Sequence, residues 1–199
     1  EQIFQRHKNV VFGVKSFNEV FYFHPQTIKK QQNYETDFLL KDGTNLAYFL
    51  NTLDEDTFND ISTSLIGEVE LIESIEILNG AIPTIIFNEN SNGNIKPLIQ
   101  QKVSDGTINF LAIMTALYGS KSNCLIFEEP ERHMHMQTLS YILNTMRDTD
   151  KQIFFTTHSS EILEQLKLDE IIFLFRDYNG DTKGQRAKDI PTIKNFMKQ

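Results

Sequence analysis

The chain has 199 residues, enough for one well-buried domain and marginal for two, so a single unit is expected. Nineteen Lys plus Arg against 27 Asp plus Glu leave a net charge of -8, which excludes binding of a phosphate backbone through bulk charge and restricts any nucleic-acid contact to a local patch. One cysteine, Cys124, allows no internal disulfide and no zinc ribbon, and points to a reducing, cytosolic compartment; no apolar run approaches the roughly 18–20 residues of a membrane span, so no membrane partner is expected.

The first half of the chain is mixed in character. Residues 18–24 alternate, with Val20 and Tyr22 on one side and Phe21 and Phe23 on the other, and read as a buried strand stopped by Pro25. Residues 26–33 read as a polar linker. Leu46, Phe49, Leu50 and Leu53 recur at helical spacing over 45–53, as do Phe58, Ile61 and Leu65 over 56–65, so residues 44–72 are expected to form a small helical lobe. Residues 74–78 and 83–88 are β-branched and aromatic enough for strands, separated by Asn79-Gly80, with a turn at 90–94.

The second half alternates regularly. Residues 104–118 predict a helix, 123–128 a strand, 137–147 a helix, 152–157 a strand, 159–166 a helix and 170–175 a strand. Strands such as Leu125-Ile126-Phe127 and Ile153-Phe154-Phe155 are apolar on both faces, which predicts an α/β fold with a parallel sheet covered by helices. Functional residues then gather at the carboxyl ends of the strands.

Three polar clusters lie where that rule puts them. Glu128-Glu129-Pro130-Glu131 ends an apolar strand, where carboxylates can hold a hydrated Mg²⁺ and orient a water toward a phosphate, or simply cap the strand as an acidic turn. Thr156-Thr157-His158-Ser159 lies between a strand and a helix; the histidine can touch a terminal phosphate, and Ser159 can be a plain helix cap. Ser104-Asp105-Gly106-Thr107 opens a long apolar helix, whose free amides and glycine can admit a phosphate, or whose serine is an ordinary cap.

Ser104 and Glu129 are 25 positions apart and Glu129 and His158 are 29 apart. In this order and spacing the clusters resemble the second half of an ABC-type ATPase domain, a P-loop NTPase fold. The match is to the AAA-type, RecF-like branch, related to the structural-maintenance-of-chromosomes (SMC) and overcoming-lysogenisation-defect proteins. Ser104-Asp105-Gly106-Thr107 resembles the signature motif, residues 125–129 Walker B with its glutamate, and Thr157-His158-Ser159 the switch histidine, so that 100–176 is the signature, Walker B and switch region. Asp42-Gly43-Thr44-Asn45-Leu46-Ala47 resembles the Asp-Gly-Ser-Asn-Leu-Ala segment of that branch.

The resemblance implies ATP and Mg²⁺ as ligands, with Glu128 on the metal, Glu129 as general base and His158 at the γ-phosphate. Ser104, Asp105, Gly106 and Thr107 would belong to the nucleotide contact, with Ser104 and the Gly106 amide clamping the γ-phosphate held by the other subunit of a head-to-tail homodimer. It further implies coupling to DNA repair, chromosome handling or defence against phage, with DNA or an effector nuclease as possible partners. Two departures stand out. Glu128 replaces the usual Asp, and Arg132-His133-Met134-His135-Met136 replaces Asn-Gly-Leu-His-Pro, keeping the histidine at His135.

A third departure is an absence. No Gly-x-x-x-x-Gly-Lys-Ser/Thr run occurs; Gly13-Val14-Lys15-Ser16 and Gly119-Ser120-Lys121-Ser122 both fail on spacing. With a first residue Glu1 rather than Met, this predicts the C-terminal part of a longer ATPase. A non-catalytic interaction fragment that needs a P-loop-bearing partner is the alternative reading. A third is a transition-metal hydrolase built from Glu128, Glu129, His133, His135 and His158. Residues 177–199 read as a solvated basic tail, with Lys183, Arg186, Lys188, Lys194 and Lys198 against Asp181 and Asp189, or as a DNA contact.

Overall fold

The computed structural model describes residues 19–32 and 34–191, and residues 2–5 as backbone. The strands form a six-stranded and a three-stranded sheet. The larger has the order β2 (Glu19–Phe21), β6 (Cys124–Glu128), β7 (Gln152–Thr157), β1 (Gln2–Gln5), β8 (Ile171–Arg176), β9 (Thr182–Arg186). β2, β6 and β7 run parallel, while β1 is antiparallel to both of its neighbours, so β7 and β8 point the same way with one strand between them. β9 returns antiparallel along β8. The fold is α/β, with parallel strands under helices as expected.

β2 is shorter than the alternation predicts. After Phe21 the chain leaves the ladder, and the Tyr22 amide donates to the Lys41 carbonyl at 2.9 Å. Only Phe21 and Phe23 enter the core; Val20 and Tyr22, on the other side of this edge strand, are exposed. Asn18 lies outside the described residues. Pro25 does not merely stop the strand: its fixed φ opens the short helix α1 (Pro25–Ile28). Ile28 is fully buried, and the buried Gln31 donates to the Ile28 carbonyl and accepts from the Ala47 amide. The expected linker is therefore a packed turn anchored by one apolar residue.

α2 (Leu46–Thr52) and α3 (Glu55–Glu68) follow, the latter capped by Asp54. The segment leading into α2 explains its own composition. Asp42 Oδ1 accepts from the Thr44 amide and hydroxyl, Gly43 sits at φ 72°, and fully buried Asn45 ties down the loop through Thr36, Phe38 and Leu40.

β3 (Ile72–Leu78), β4 (Thr84–Ser91) and β5 (Asn94–Ile99) make the small antiparallel sheet. β5 escapes sequence reading because almost all its side chains are exposed and Pro97 interrupts it, which an edge strand tolerates. α4 (Asp105–Gly119) is buried without a break from Thr107 to Leu117 and packs against α1, α2, α3 and α5 (Met136–Asp148). A helix apolar all round belongs in that position. α6 (Ser160–Glu164) precedes β8.

In the segment expected as a solvated tail, β9 pairs with β8 and a 3₁₀ turn, Ala187–Asp189, buries Ala187. The side chains there are polar, so the pairing is carried by backbone and leaves no apolar pattern to read. Residues 192–199, with Lys194 and Lys198, lie outside the described residues, as do Gly13 to Ser16. Among the described residues no helix is long and apolar enough to cross a membrane.

Candidate functional site

β6 and β7 end side by side, with Glu128 opposite Thr156 in the register. This parallel pairing brings the acidic cluster to the histidine cluster. The Glu129 amide donates to the Thr156 carbonyl at 3.0 Å, carrying the pairing one residue past the strand. Glu129 itself stands at φ 42°, a left-handed conformation uncommon for a non-glycine residue. Its carboxylate is mostly enclosed; Oε1 lies 3.5 Å from His158 Nε2 and Oε2 lies 2.5 Å from Arg132 Nε. His158 is itself well exposed, so the pair faces solvent on one side.

Thr157, fully buried, donates its hydroxyl to Glu131 Oε1 at 2.5 Å and accepts from the Ser159 amide at 3.0 Å. Ser159 Oγ accepts from the Ile162 amide, so this serine is the cap of α6. Glu128, exposed at the end of β6, has a carboxylate with no hydrogen-bond or ionic partner among the described residues.

At the start of α4, Ser104 is both exposed and a cap: its Oγ accepts from the Thr107 amide at 3.0 Å and lies 2.8 Å from Thr107 Oγ1. Thr107 is buried. Asp105 is engaged within the chain, 2.5 Å from Lys29 Nζ, which also donates to the Val103 carbonyl at 2.8 Å. The hydrogen bond from Lys29 holds the Asp105 carboxyl below the usual carboxylate range. Gly106 is a glycine for a reason that sequence does not reveal. A Cβ there would meet the His133 carbonyl oxygen at 2.4 Å, so the group that approaches this backbone is the chain's own loop.

That loop, 129–135, joins the clusters. Asn109 Nδ2 donates to the Arg132 carbonyl at 3.1 Å, and His133 is held at φ 64°. Beside it, a cleft of about 1140 Å³ opens between the first turns of α4 and α5 and the end of α3, with Lys102, Ser104, Asp105 and His135 on its walls. Glu68 also lines it, and burial pushes that carboxyl up. Lys29, Asn109, Glu131 and Arg132 carry no functional assignment from sequence. Glu131 is visible there in the acidic cluster; Lys29, 76 positions from Asp105, gives no signal.

His133 and His135 do not join Glu128, Glu129 and His158. Among the described residues no three His, Cys, Asp or Glu side chains gather to hold a metal ion, so the transition-metal hydrolase is not assembled. Mg²⁺ takes one or two carboxylates and completes its shell with water and phosphate oxygens, and the exposed Glu128 carboxylate, without a partner among the described residues, is of the type that fits such a shell.

Acidic and histidine clusters lie at the carboxyl ends of adjacent parallel strands of an α/β fold, where such folds commonly place their ligands, and a capped helix N-terminus lies beside them. Residues 35–164 match the family described as AAA domain, putative AbiEii toxin, Type IV TA system, and the chain belongs to that family. Over 129 residues it is 29% identical to a Helicobacter pylori protein named ATP/GTP phosphatase. That match covers 58% of this chain and 34% of the relative, so the chain spans about a third of the length of the curated relative it matches. A solved structure from work on ATP-driven dimerization and DNA-stimulated activation of SMC ATPases superposes with a TM-score of 0.50 at 13% identity, covering 72% of this chain and 94% of that one. The likeness shows the P-loop NTPase fold, and the family match makes the chain an AAA domain.

Proposed function

We propose that this chain is the hydrolytic and dimer-contacting part of an ATPase whose phosphate loop comes from another segment. The observation that carries the reading is the Glu129–His158 pair, 3.5 Å apart at the ends of two parallel strands and partly open to solvent. Glu129 accepts a proton from the attacking water, and His158 lies close enough to contact the phosphate being transferred. Glu128 would hold Mg²⁺ when the ion is bound, and the ion would supply charge neutralisation for the phosphate. Phosphoryl transfer asks the protein for positioning and charge, which these residues supply.

The sheet offers a position that a second segment could take by replacing β1. β1 is antiparallel to β7 and β8, with Gln2 opposite Thr157. A strand that took the place of β1, parallel to β7 and β8, would end beside Thr157, and a phosphate loop following it would face Glu129 and His158. The chain alone is then a binding partner rather than a turnover-competent enzyme. Ser104 and the Gly106 amide serve the nucleotide of a second copy across a head-to-tail interface, a reading in keeping with the ATP-driven dimerization of the SMC neighbour. The toxin named in the family description favours a defence role over DNA repair.

The test is Glu129→Gln in the full-length protein. ATP binding is retained, turnover falls on the order of 10²- to 10⁴-fold through loss of the base, and ATP-dependent dimers accumulate in sedimentation. Hydrolysis at the parent rate would refute the assignment.

A further inference from the structure

The geometry points to the loop 129–135 as a strap that positions the Glu129–His158 pair and ties it to the first turn of α4, with Glu131 and Thr157 as its positioning residues. This rests on the reading of Glu129 given above. Four attachments make the strap. The Glu129 amide is fixed on the Thr156 carbonyl; Glu131 Oε1 takes the Thr157 hydroxyl; the Arg132 carbonyl takes Asn109 Nδ2; and the His133 carbonyl rests on Gly106 with no room for a methyl group.

Thr157 is the joint of this device. Its hydroxyl is bonded on one side to the strap and on the other to the Ser159 amide, so the residue between them, His158, sits in a turn closed by the same oxygen that holds Glu131. The two partners of the hydrolytic pair are thereby set from one point. Two left-handed residues, Glu129 and His133, keep their conformation only because the surroundings impose it.

Stability alone does not account for the residue choice. Glu131 Oε2 and Asn109 Oδ1 are buried without a hydrogen-bond partner among the described residues, a cost that an apolar pair of similar shape would avoid. What the polar pair provides is direction: each attachment point fixes one backbone or side-chain atom of the loop. A displacement of the first turn of α4, which faces the second copy in the proposed dimer, cannot leave the His133 end of the strap in place, and a seven-residue loop pinned at four points carries it to Glu129.

The experiment uses the full-length protein and compares Thr157→Val, Thr157→Ser, Glu131→Gln and Glu131→Leu with Glu129→Gln. Thr157→Val keeps the shape and loses both hydrogen bonds. It lowers kcat about 10- to 100-fold, the cost of a misplaced reacting group, with the KM for ATP changed less than about twofold, since binding in the ground state is untouched. Thr157→Ser restores kcat because it restores the hydroxyl. Glu131→Gln, which keeps the acceptor oxygen for Thr157, stays near the parent, while Glu131→Leu behaves as Thr157→Val, and the double variant is no slower than either alone. Thermal melts run beside the kinetics identify any variant that fails to fold, and Thr157→Ser and Glu131→Gln still decide the matter if the others do. A Thr157→Val or Glu131→Leu protein with parent kcat, or a folded Glu131→Gln as slow as Glu131→Leu, overturns the strap. If Glu129→Gln also hydrolyses at the parent rate, the underlying hydrolytic reading has failed instead.

Discussion

Replacing Gly106 by alanine tests the packing of the α4 terminus on the loop with no appeal to nucleotide. The added methyl would lie 2.4 Å from the His133 carbonyl oxygen, about 1 Å inside ordinary van der Waals contact near 3.4 Å. The obstacle is backbone, so it cannot rotate aside, and the loop that carries it is anchored through Asn109 and Glu131. Overpacking of this kind costs about 1–3 kcal/mol, and alanine's better helix propensity returns at most ~1 kcal/mol near a helix start, leaving a net loss of up to about 3 kcal/mol. Gly67, in the last turn of α3, is the control: a methyl group added there would meet nothing within 4 Å, so Gly67→Ala gains about 0.5 kcal/mol. Urea denaturation of both variants gives the two numbers with opposite signs. Equal stabilisation by the two alanines would show that the His133 carbonyl does not press on Gly106.

Two further outcomes can be measured the same way. Lys29→Met removes a partly buried ion pair and the bond to the Val103 carbonyl, for a loss of about 1–2 kcal/mol at neutral pH. Asp105 has a folded pKa below the ordinary aspartate value of 3.8, so the ion-pair share is present above that value and disappears as the pH falls through the depressed one; stability curves of parent and variant converge partly in acid, and a gap independent of pH would exclude the Asp105 pairing. His133→Gly relieves a left-handed residue at φ 64°, worth about 1–2 kcal/mol, against about 1 kcal/mol of added chain entropy, so denaturation midpoints show it neutral to mildly stabilising, where a loss above ~1 kcal/mol would contradict the strain.

The elements that sequence makes legible are those whose side chains carry the pattern. α4 is buried over eleven consecutive residues, eight of them apolar, and β6 and β7 are apolar runs followed by polar clusters, so the type of each element follows from its side chains. β5 and β9 are built from backbone pairing with mostly exposed side chains, those of β9 polar and those of β5 mixed and broken by Pro97, and no periodicity betrays them. The same division holds in the site. Glu128, Glu129 and His158 stand out in the sequence as polar residues at strand ends, and the structure brings Glu129 and His158 within 3.5 Å of each other. The joinery is not legible, because its partners are carbonyl oxygens of Arg132 and His133 and a lysine 76 positions away. Gly106 shows the limit: its residue type reads as room for a ligand, and in the structure the room is filled by the chain itself.

Arg132 raises a question of magnitude, since it holds one oxygen of the carboxylate proposed as the base. Its side chain is half exposed, and the contact is between residues three apart in a solvent-facing loop. Pairs of that kind are worth about 0–1 kcal/mol, because water competes for both charges and the long side chain loses entropy in holding one geometry. Opening the pair therefore costs at most about a fivefold factor in rate, against the 10²- to 10⁴-fold that a positioned base contributes. The carboxylate's other oxygen already faces His158, so Glu129 keeps its orientation while Arg132 lets go. The orientation survives because it comes from the Thr156 carbonyl and the rest of the strap rather than from the ion pair. The departure from the branch's usual asparagine at position 132 is thus compatible with Glu129 as base, and it leaves a guanidinium with its Nη groups unengaged among the described residues at the edge of the site.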